Sequence, residues 1–246
     1  MPDQAPKTLF ISDLHLDRER PGIVTLFAEF IDKQARDADA LYILGDLFEY
    51  WVGDDQPTHG LEPAIEALQS LKSVTPVFFI QGNRDFLVSD GFAQRTGLKL
   101  LPDSVIIDLY DRTALLLHGD TLCSDDVDYQ QLRELLRDSA WQQQFLSQPV
   151  SDRLAQALAL REKSMAETSG KTEAIMDVNQ QRVEAELRKH RANLMIHGHT
   201  HRPGRHRFEL DGEPVERIVL GDWYQKGNVL IVTPDDLILE DFDTPV

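Results

Sequence analysis

Apolar positions in the first third of the chain recur with two different periods. Thr8-Leu9-Phe10-Ile11-Ser12 is a short apolar run ending on polar residues, and Leu41-Tyr42-Ile43-Leu44 and Val77-Phe78-Phe79-Ile80 repeat that form. Runs of this length stopped by turn residues such as Gly45-Asp46 and Gly82-Asn83 predict buried strands. Between them, Ile23, Leu26, Phe27, Phe30 and Ile31 share one stripe of a helix over residues 23–35. A second helix is predicted over 61–71. The order β-α-β-α-β predicts parallel strands joined by right-handed crossovers. Two more strands are predicted at 105–109 and 114–117.

The pattern then changes. From about 125 to 191 no strand stands out; 130–145, 151–165 and 173–190 have helical periodicity, punctuated by Pro149 and Gly170. Strands resume at 194–196, 207–210, 215–220, 229–232 and 237–239. The last four are separated by Asp211-Gly212, Lys226-Gly227-Asn228 and Pro234-Asp235, which predicts antiparallel hairpins. The expectation is one domain over 1–246, its sheet core interrupted by a helical insertion at about 125–191.

Composition narrows the picture. With 246 residues and 41% hydrophobic, the chain can bury a sizeable core. Asp+Glu 42 against Lys+Arg 25 gives a net charge of −17, which argues against a polyanion partner held by bulk charge, nucleic acid included. One cysteine, Cys123, permits no intrachain disulfide and suits a reducing compartment. The first residues lack a basic-then-apolar signal, and no apolar run reaches the roughly 18 residues that span a bilayer. These features predict a cytoplasmic protein. The insertion is different in charge: between Gln130 and Ile175, six acids balance six bases. It is also rich in Leu, with Trp141 and Phe145, which reads either as helix faces docked on the domain or as a cap with an apolar groove.

Candidate chemistry sits just beyond the strands: Asp13-Leu14-His15, Gly45-Asp46, Gly82-Asn83-Arg84-Asp85, His118-Gly119-Asp120 and His197-Gly198-His199-Thr200-His201. Five of the eight histidines lie in these stretches. Strand carboxyl ends are where open α/β sheets bind ligands. Carboxylate, imidazole and amide oxygen together suit a divalent ion such as Mn²⁺, Fe²⁺ or Zn²⁺. Taken singly, each residue has a plainer reading: Asp46 as a helix cap, Asn83 as a turn residue, His118 as a structural histidine. Cys123 reads as a small packed residue.

Together, Asp13-x-His15, Gly45-Asp46, Gly82-Asn83, His118 and Gly198-His199-Thr200-His201 resemble the signature of the calcineurin-like metallophosphoesterases. The resemblance implies an α/β/β/α sandwich carrying two divalent metal ions. Asp13, His15 and His201 would serve one ion, Asn83, His118 and His199 the other, with Asp46 bridging. It implies catalytic roles for Asp46, Asn83, Arg84 and His118. His197 is expected to face away from the ions, because His199 must face them. Many members have Gly-Asn-His-Glu where this chain has Gly82-Asn83-Arg84-Asp85. Arg84 cannot protonate a leaving group, but it can neutralise a phosphate. That favours a diphosphate substrate; the plainer reading of Arg84 is an ion pair with Asp85 or a neighbour.

Longer strings, among them 45–55, 118–126 and 174–180, are similar to the UDP-2,3-diacylglucosamine pyrophosphatases of lipid A synthesis. This closer resemblance implies a lipid-linked UDP-sugar as substrate and Mn²⁺ as the metal. UMP and 2,3-diacylglucosamine 1-phosphate would be the products, through hydroxide attack on the UMP-side phosphorus. The insertion would be a lid that receives the acyl chains. Substrate contacts would fall on Asn83, Arg84, Asp126, Ser164, Lys171 and His199, with Thr168 where relatives often have Asn. Asp126 alone could be a helix cap, and Lys171 alone a solvated cation. The resemblance further implies peripheral contact with the cytoplasmic face of the inner membrane, and no obligate protein partner is evident. Two other readings stand beside it: a soluble phosphodiesterase or nucleotide pyrophosphatase of the same superfamily, and an inactive scaffold of that fold.

Overall fold

The computed structural model describes residues 5–168 and 177–243, with the side chains of residues 163–168 outside the description. One sheet contains β1 (Thr8–Ile11), β2 (Ala40–Leu44), β3 (Val77–Ile80), β4 (Leu98–Leu101), β10 (Gly227–Val232) and β11 (Leu237–Phe242). Its order is β11-β10-β1-β2-β3-β4. From β1 to β4 the pairing is parallel, with Leu9 opposite Leu41, Leu41 opposite Val77 and Val77 opposite Leu98. The other sheet contains β5 (Ser104–Leu109), β6 (Arg112–Leu117), β7 (Leu194–His197), β8 (Gly204–Leu210) and β9 (Glu213–Val219), in the order β5-β6-β7-β9-β8.

Strand alternation assigns each apolar side chain to a layer. In the first sheet Leu9, Ile11, Leu41, Ile43 and Phe79 turn outward onto helices α1 (Pro21–Lys33), α2 (Glu62–Leu71) and α3 (Asp90–Thr96), against Phe27, Phe30, Leu68 and Phe92. Their neighbours Phe10, Leu44, Ile80, Leu230 and Val232 turn inward. They meet Leu116, Ile196 and Ile218 of the second sheet. The outer face of that sheet, with Leu115, Leu117 and Met195, is covered by Val183 and Leu187 of α7 (Gln180–His190). The layers are therefore α/β/β/α, as the motifs implied. A one-residue slip in β1 would exchange the Phe10 and Leu9 faces, so packing fixes the register.

The insertion carries α4 (Val127–Arg137), α5 (Ser139–Leu146) and α6 (Val150–Thr168) before α7. Where one helix is predicted over 130–145 there are two. Asp138 breaks them, its carboxylate accepting from Trp141 N at 2.8 Å and capping α5. The helix expected from 173 begins instead at Asn179, whose side chain caps Arg182 N at 3.1 Å; residues 173–176 lie outside the described residues. The predicted hairpin series is also interrupted. β8 pairs with β9 and β10 with β11, both antiparallel, but β9 and β10 belong to different sheets. Buried Trp223 lies in the crossing segment, and Asn228 accepts from Gly221 N at 2.7 Å to hold it. The pair α3–β4 has no counterpart in the sequence reading. It is seven residues and four, joined by Gly97 at φ 86°, too short to show a period.

Arginines of the insertion fasten it to the sheet ends. Arg133 donates to Asp120 at 2.6 Å and to Asp103 at 2.7 Å. Arg137 donates to the Gln81 side chain at 3.0 Å and to Gly82 O at 3.1 Å. Arg153, only 1% exposed, donates to Val52 O, Gln148 O and Asp55. These clamps set three helices over the end of the sandwich where β2, β3 and β6 stop. Among the described residues no helix is long and apolar enough to cross a membrane.

Candidate metal centre

Five strand ends converge there. Asp13 and His15 follow β1, Asp46 follows β2, Asn83 follows β3, His118 follows β6, and His199 and His201 follow β7. Of the seven, Asp13, His15, Asp46, His199 and His201 have positive φ, between 50° and 69°. Left-handed backbone costs an L-residue about 1–2 kcal/mol. Five such residues side by side mean that the surrounding structure over-determines the loops, a condition typical of functional sites. Gly82 and Gly198 show the same closeness. A Cβ on Gly82 would strike the Asp46 carboxylate and backbone, and one on Gly198 would strike Asp13 and Ser12.

The side chains divide into two groups around one carboxylate. Asp46 Oδ2 lies 3.8 Å from His15 Nε2, which is 3.3 Å from His201 Nε2; His201 Nε2 is in turn 3.4 Å from Asp13 Oδ1. Asp46 Oδ1 lies 3.7 Å from His118 Nε2. Asn83 Oδ1 is 2.9 Å from that nitrogen and 3.0 Å from His199 Nδ1. Asp13, His15 and His201 form one cluster able to hold a metal ion, and Asp13, Asp46 and His118 form another. All seven ligands expected from the motifs are therefore brought together, with the Asp46 carboxylate facing both groups.

Electrostatics favour cations in this place. Asp13 is fully buried, and its Oδ1 has no hydrogen-bond partner. Burial opposes its ionisation, yet contact with His201 and the charges of His118 and His15 hold its carboxyl below the usual range. His118 is depressed by burial, but the carboxylates of Asp46, Asp13 and Asp120 outweigh this and push it up to about 9. A buried carboxylate oxygen without a donor is expensive unless a cation meets it. The donor set of two carboxylates, one amide and four imidazoles fits divalent ions. His118 is already oriented: Nδ1 donates to Leu44 O at 2.8 Å, which leaves the Nε2 lone pair for the cluster. His197 turns away as expected. It is wholly buried, donates from Nδ1 to Gly198 O at 2.8 Å and accepts at Nε2 from Arg217 at 3.0 Å. Burial and Arg217 pull it down to about 3, so it is a neutral brace for the loop after β7.

Asp85 lies within a motif, but its role shows only in the structure, and other contributors lie outside the motifs. The Asp85 carboxylate accepts from Gly82 N at 2.8 Å, Leu47 N at 2.7 Å, and Asp46 N and Phe48 N at 3.3 Å. It ties the loop carrying Asp46 to the loop carrying Asn83, and its oxygens are engaged by these amides, so it is not Arg84's ion-pair partner. Asp85→Ala would leave four amides without that acceptor. The expected cost is about 3 kcal/mol or more, which lowers Tm by roughly 6–12 °C in a chain of this size. Calorimetry checks this, and an unchanged Tm would remove Asp85 from the account. Asp222 lies 3.6 Å from His201 Nδ1, and Tyr224 stacks on His15 with centroids 5.3 Å apart. Tyr129 donates to Asp120 at 2.8 Å and tilts over His199 at 5.9 Å. The only signal for these residues is proximity to a motif.

A cleft opens beside the cluster, with a cavity volume of about 140 Å³. Asn83, Arg84, Asp120, Tyr129, Glu49, Arg133, Arg137 and Arg161 supply its polar and charged lining, and Trp51, Phe86, Leu132, Leu136, Trp141, Phe145, Ala157, Leu158 and Leu160 its apolar lining. Arg84 Nε is buried there without a hydrogen-bond partner, and Arg84 N donates to Asp46 Oδ1 at 2.8 Å. Asp126 is the N-cap of α4, accepting from Tyr129 N at 3.2 Å. Ser164 and Thr168 lie on α6 with side chains outside the described residues, and Lys171 lies outside them altogether. Cys123 is buried and pushed up to about 12, mainly by burial, which suits packing and not thiolate chemistry.

A family model for calcineurin-like phosphoesterases matches residues 6–203, a span that begins before β1 and runs past His201. The chain belongs to the calcineurin-like phosphoesterase family. Divalent metals are the working cofactors of this metallophosphoesterase family, in keeping with the donor set. Curated relatives are similar over nearly the whole length. A UDP-2,3-diacylglucosamine hydrolase of Stenotrophomonas maltophilia (strain K279a) is 52% identical over 92% of this chain and 94% of its own. A protein of the same name from Xanthomonas oryzae pv. oryzae (strain PXO99A) is 48% identical over 96% and 98%.

Proposed function

We propose that this phosphoesterase hydrolyses the diphosphate of UDP-2,3-diacylglucosamine, giving UMP and 2,3-diacylglucosamine 1-phosphate in lipid A biosynthesis. The observation that carries the proposal is the apolar cleft running directly from the seven-residue cluster into the helical insertion. A soluble phosphodiester has no use for such a surface, whereas two acyl chains need one, each buried methylene being worth about 0.8 kcal/mol. The names of the relatives support the same substrate.

Asp13, His15 and His201 would hold one ion, Asn83, His118 and His199 the other, and Asp46 both. Two divalent ions bound there supply a nucleophile from water near neutral pH and neutralise charge on the phosphorus under attack. Mn²⁺ is the assigned metal. Arg84 lines the cleft with its Nε buried and unpaired, and its guanidinium would meet a phosphate there. Attack falls on the UMP-side phosphorus, and the sugar 1-phosphate leaves as a stable anion, so no side chain has to protonate it. Asn83, Arg84, Asp126, Ser164, Thr168, Lys171 and His199 are the assigned substrate contacts. The insertion at about 125–191 acts as a lid on a single domain. Val127, Leu135 and Leu146, each 41–57% exposed, give it an apolar outer surface for peripheral contact with the membrane that holds the substrate.

Rates on UDP-GlcNAc and on its 2,3-diacyl form test the substrate assignment. The account expects the diacyl compound to be turned over at least 100-fold more efficiently. Equal rates would instead indicate a soluble nucleotide pyrophosphatase. Metal removal verified by elemental analysis is expected to abolish turnover and added Mn²⁺ to restore it; full activity of the stripped protein would contradict the mechanism.

A further inference from the structure

Glu49 lies outside the motif ligands yet is about as buried as Asp13, His15, Asp46 and His118, at 3% exposure. Its Oε2 sits 3.4 Å from His15 Nδ1 and 3.8 Å from Arg20. Its Oε1 sits 3.1 Å from Nε of Arg161. His15 uses its other nitrogen, Nε2, to face Asp46 and His201, at 3.8 and 3.3 Å. His15 Nδ1 makes no hydrogen bond, so Glu49 acts on the ring through its charge at this separation, which favours a proton on the rear nitrogen and leaves the front one for an ion. Arg20 also donates to His15 O, so the body of the domain supplies one counter-charge to Glu49. A further one comes from the insertion. Arg161 belongs to α6, lines the cleft and is 36% exposed.

We propose that Glu49 is a positioning residue for His15, and that the Glu49–Arg161 pair couples the seating of α6 over the cleft to the Asp13, His15, His201 half of the metal centre. Lifting α6 removes the Arg161 counter-charge from a buried carboxylate, which loosens its hold on His15. By linkage, an ion in that half and a ligand that seats the lid strengthen each other's binding. This rests on the metal-centre reading above.

The test is calorimetric titration of the metal-stripped full chain with Mn²⁺, without substrate. Wild type is expected to take up two ions. Glu49→Gln is expected to weaken one of the two by about 10–100-fold, to leave the other within about twofold, and to melt within a few degrees of wild type. Arg161→Ala should weaken the same ion by a smaller factor, and Arg161→Lys should recover most of the loss. Arg161→Ala added to Glu49→Gln should change little further, because the two act through one contact. A role for Arg161 only as a substrate contact would leave Mn²⁺ affinity unmoved in the absence of substrate, and that result overturns the proposal. Equal weakening of both ions, or additive losses in the double variant, overturns it as well. Should Glu49→Gln unfold, the half-exposed Arg161 variants decide alone. A wild-type chain that binds no Mn²⁺ overturns the metal-centre reading and this proposal together, whereas two wild-type ions with unaltered variants defeat the proposal only.

Discussion

Asp46→Asn is expected to lower turnover of the diacyl substrate about 10³-fold at saturating Mn²⁺, with the fold intact. Asp46 is 2% exposed, and one carboxylate oxygen faces His15 while the other faces His118. Asn preserves two local features. It tolerates the left-handed backbone at φ 51°, and it keeps an oxygen to accept from Arg84 N. It removes the charge and one of the two oxygens shared between the halves. Loss of the bridging charge should forfeit several kcal/mol of stabilisation where charge develops. About 4 kcal/mol corresponds to the 10³-fold effect. Steady-state kinetics, metal content and melting temperature check it together. Wild-type turnover with both ions retained would sink the assignment of Asp46.

Leu158→Glu is expected to lower kcat/KM for the diacyl substrate about 100-fold while changing hydrolysis of a small soluble phosphodiester by no more than about twofold. Leu158 lies on α6, lines the cleft and is 45% exposed, so the fold tolerates a polar side chain there. A carboxylate at that point displaces three or four methylenes of an acyl chain, at about 0.8 kcal/mol each. The sum of about 3 kcal/mol sets the expected factor. Parallel assays on the two substrates separate a groove defect from a damaged centre. An equal fall on both substrates would mean that the insertion supports the centre and does not receive acyl chains.

The centre was legible because its chemistry is written in short motifs at strand ends. Asp13 and His15, or His199 and His201, are two residues apart, and a strand run next to such a pair already places it. The parallel β1–β2–β3 order followed from short apolar runs separated by helical stripes, whereas the four layers were implied by the family resemblance of the motifs. What stayed hidden depends on contacts between segments far apart in the chain. Glu49 is one of 42 acids, and nothing local separates a carboxylate facing His15 from one facing water. Asp138 reads as an ordinary polar residue in a helical stretch until its cap on Trp141 N is seen. The Lys226-Gly227-Asn228 sequence has the composition of a hairpin turn, but Gly227 and Asn228 are the first residues of β10. Asn228 spends its side chain on Gly221 N and Asp241, holding a crossing between sheets. The acidic excess also becomes easier to place. The 130–175 segment of the insertion carries none of it, and Arg133, Arg137 and Arg161 line the cleft.

The most direct measurement is product analysis of the Mn²⁺-loaded protein acting on UDP-2,3-diacylglucosamine in ¹⁸O-labelled water, followed by ³¹P NMR and mass spectrometry. The account predicts equal amounts of UMP and 2,3-diacylglucosamine 1-phosphate, with the label in UMP. Release of UDP and free sugar, label in the sugar phosphate, or an untouched lipid substrate would contradict it.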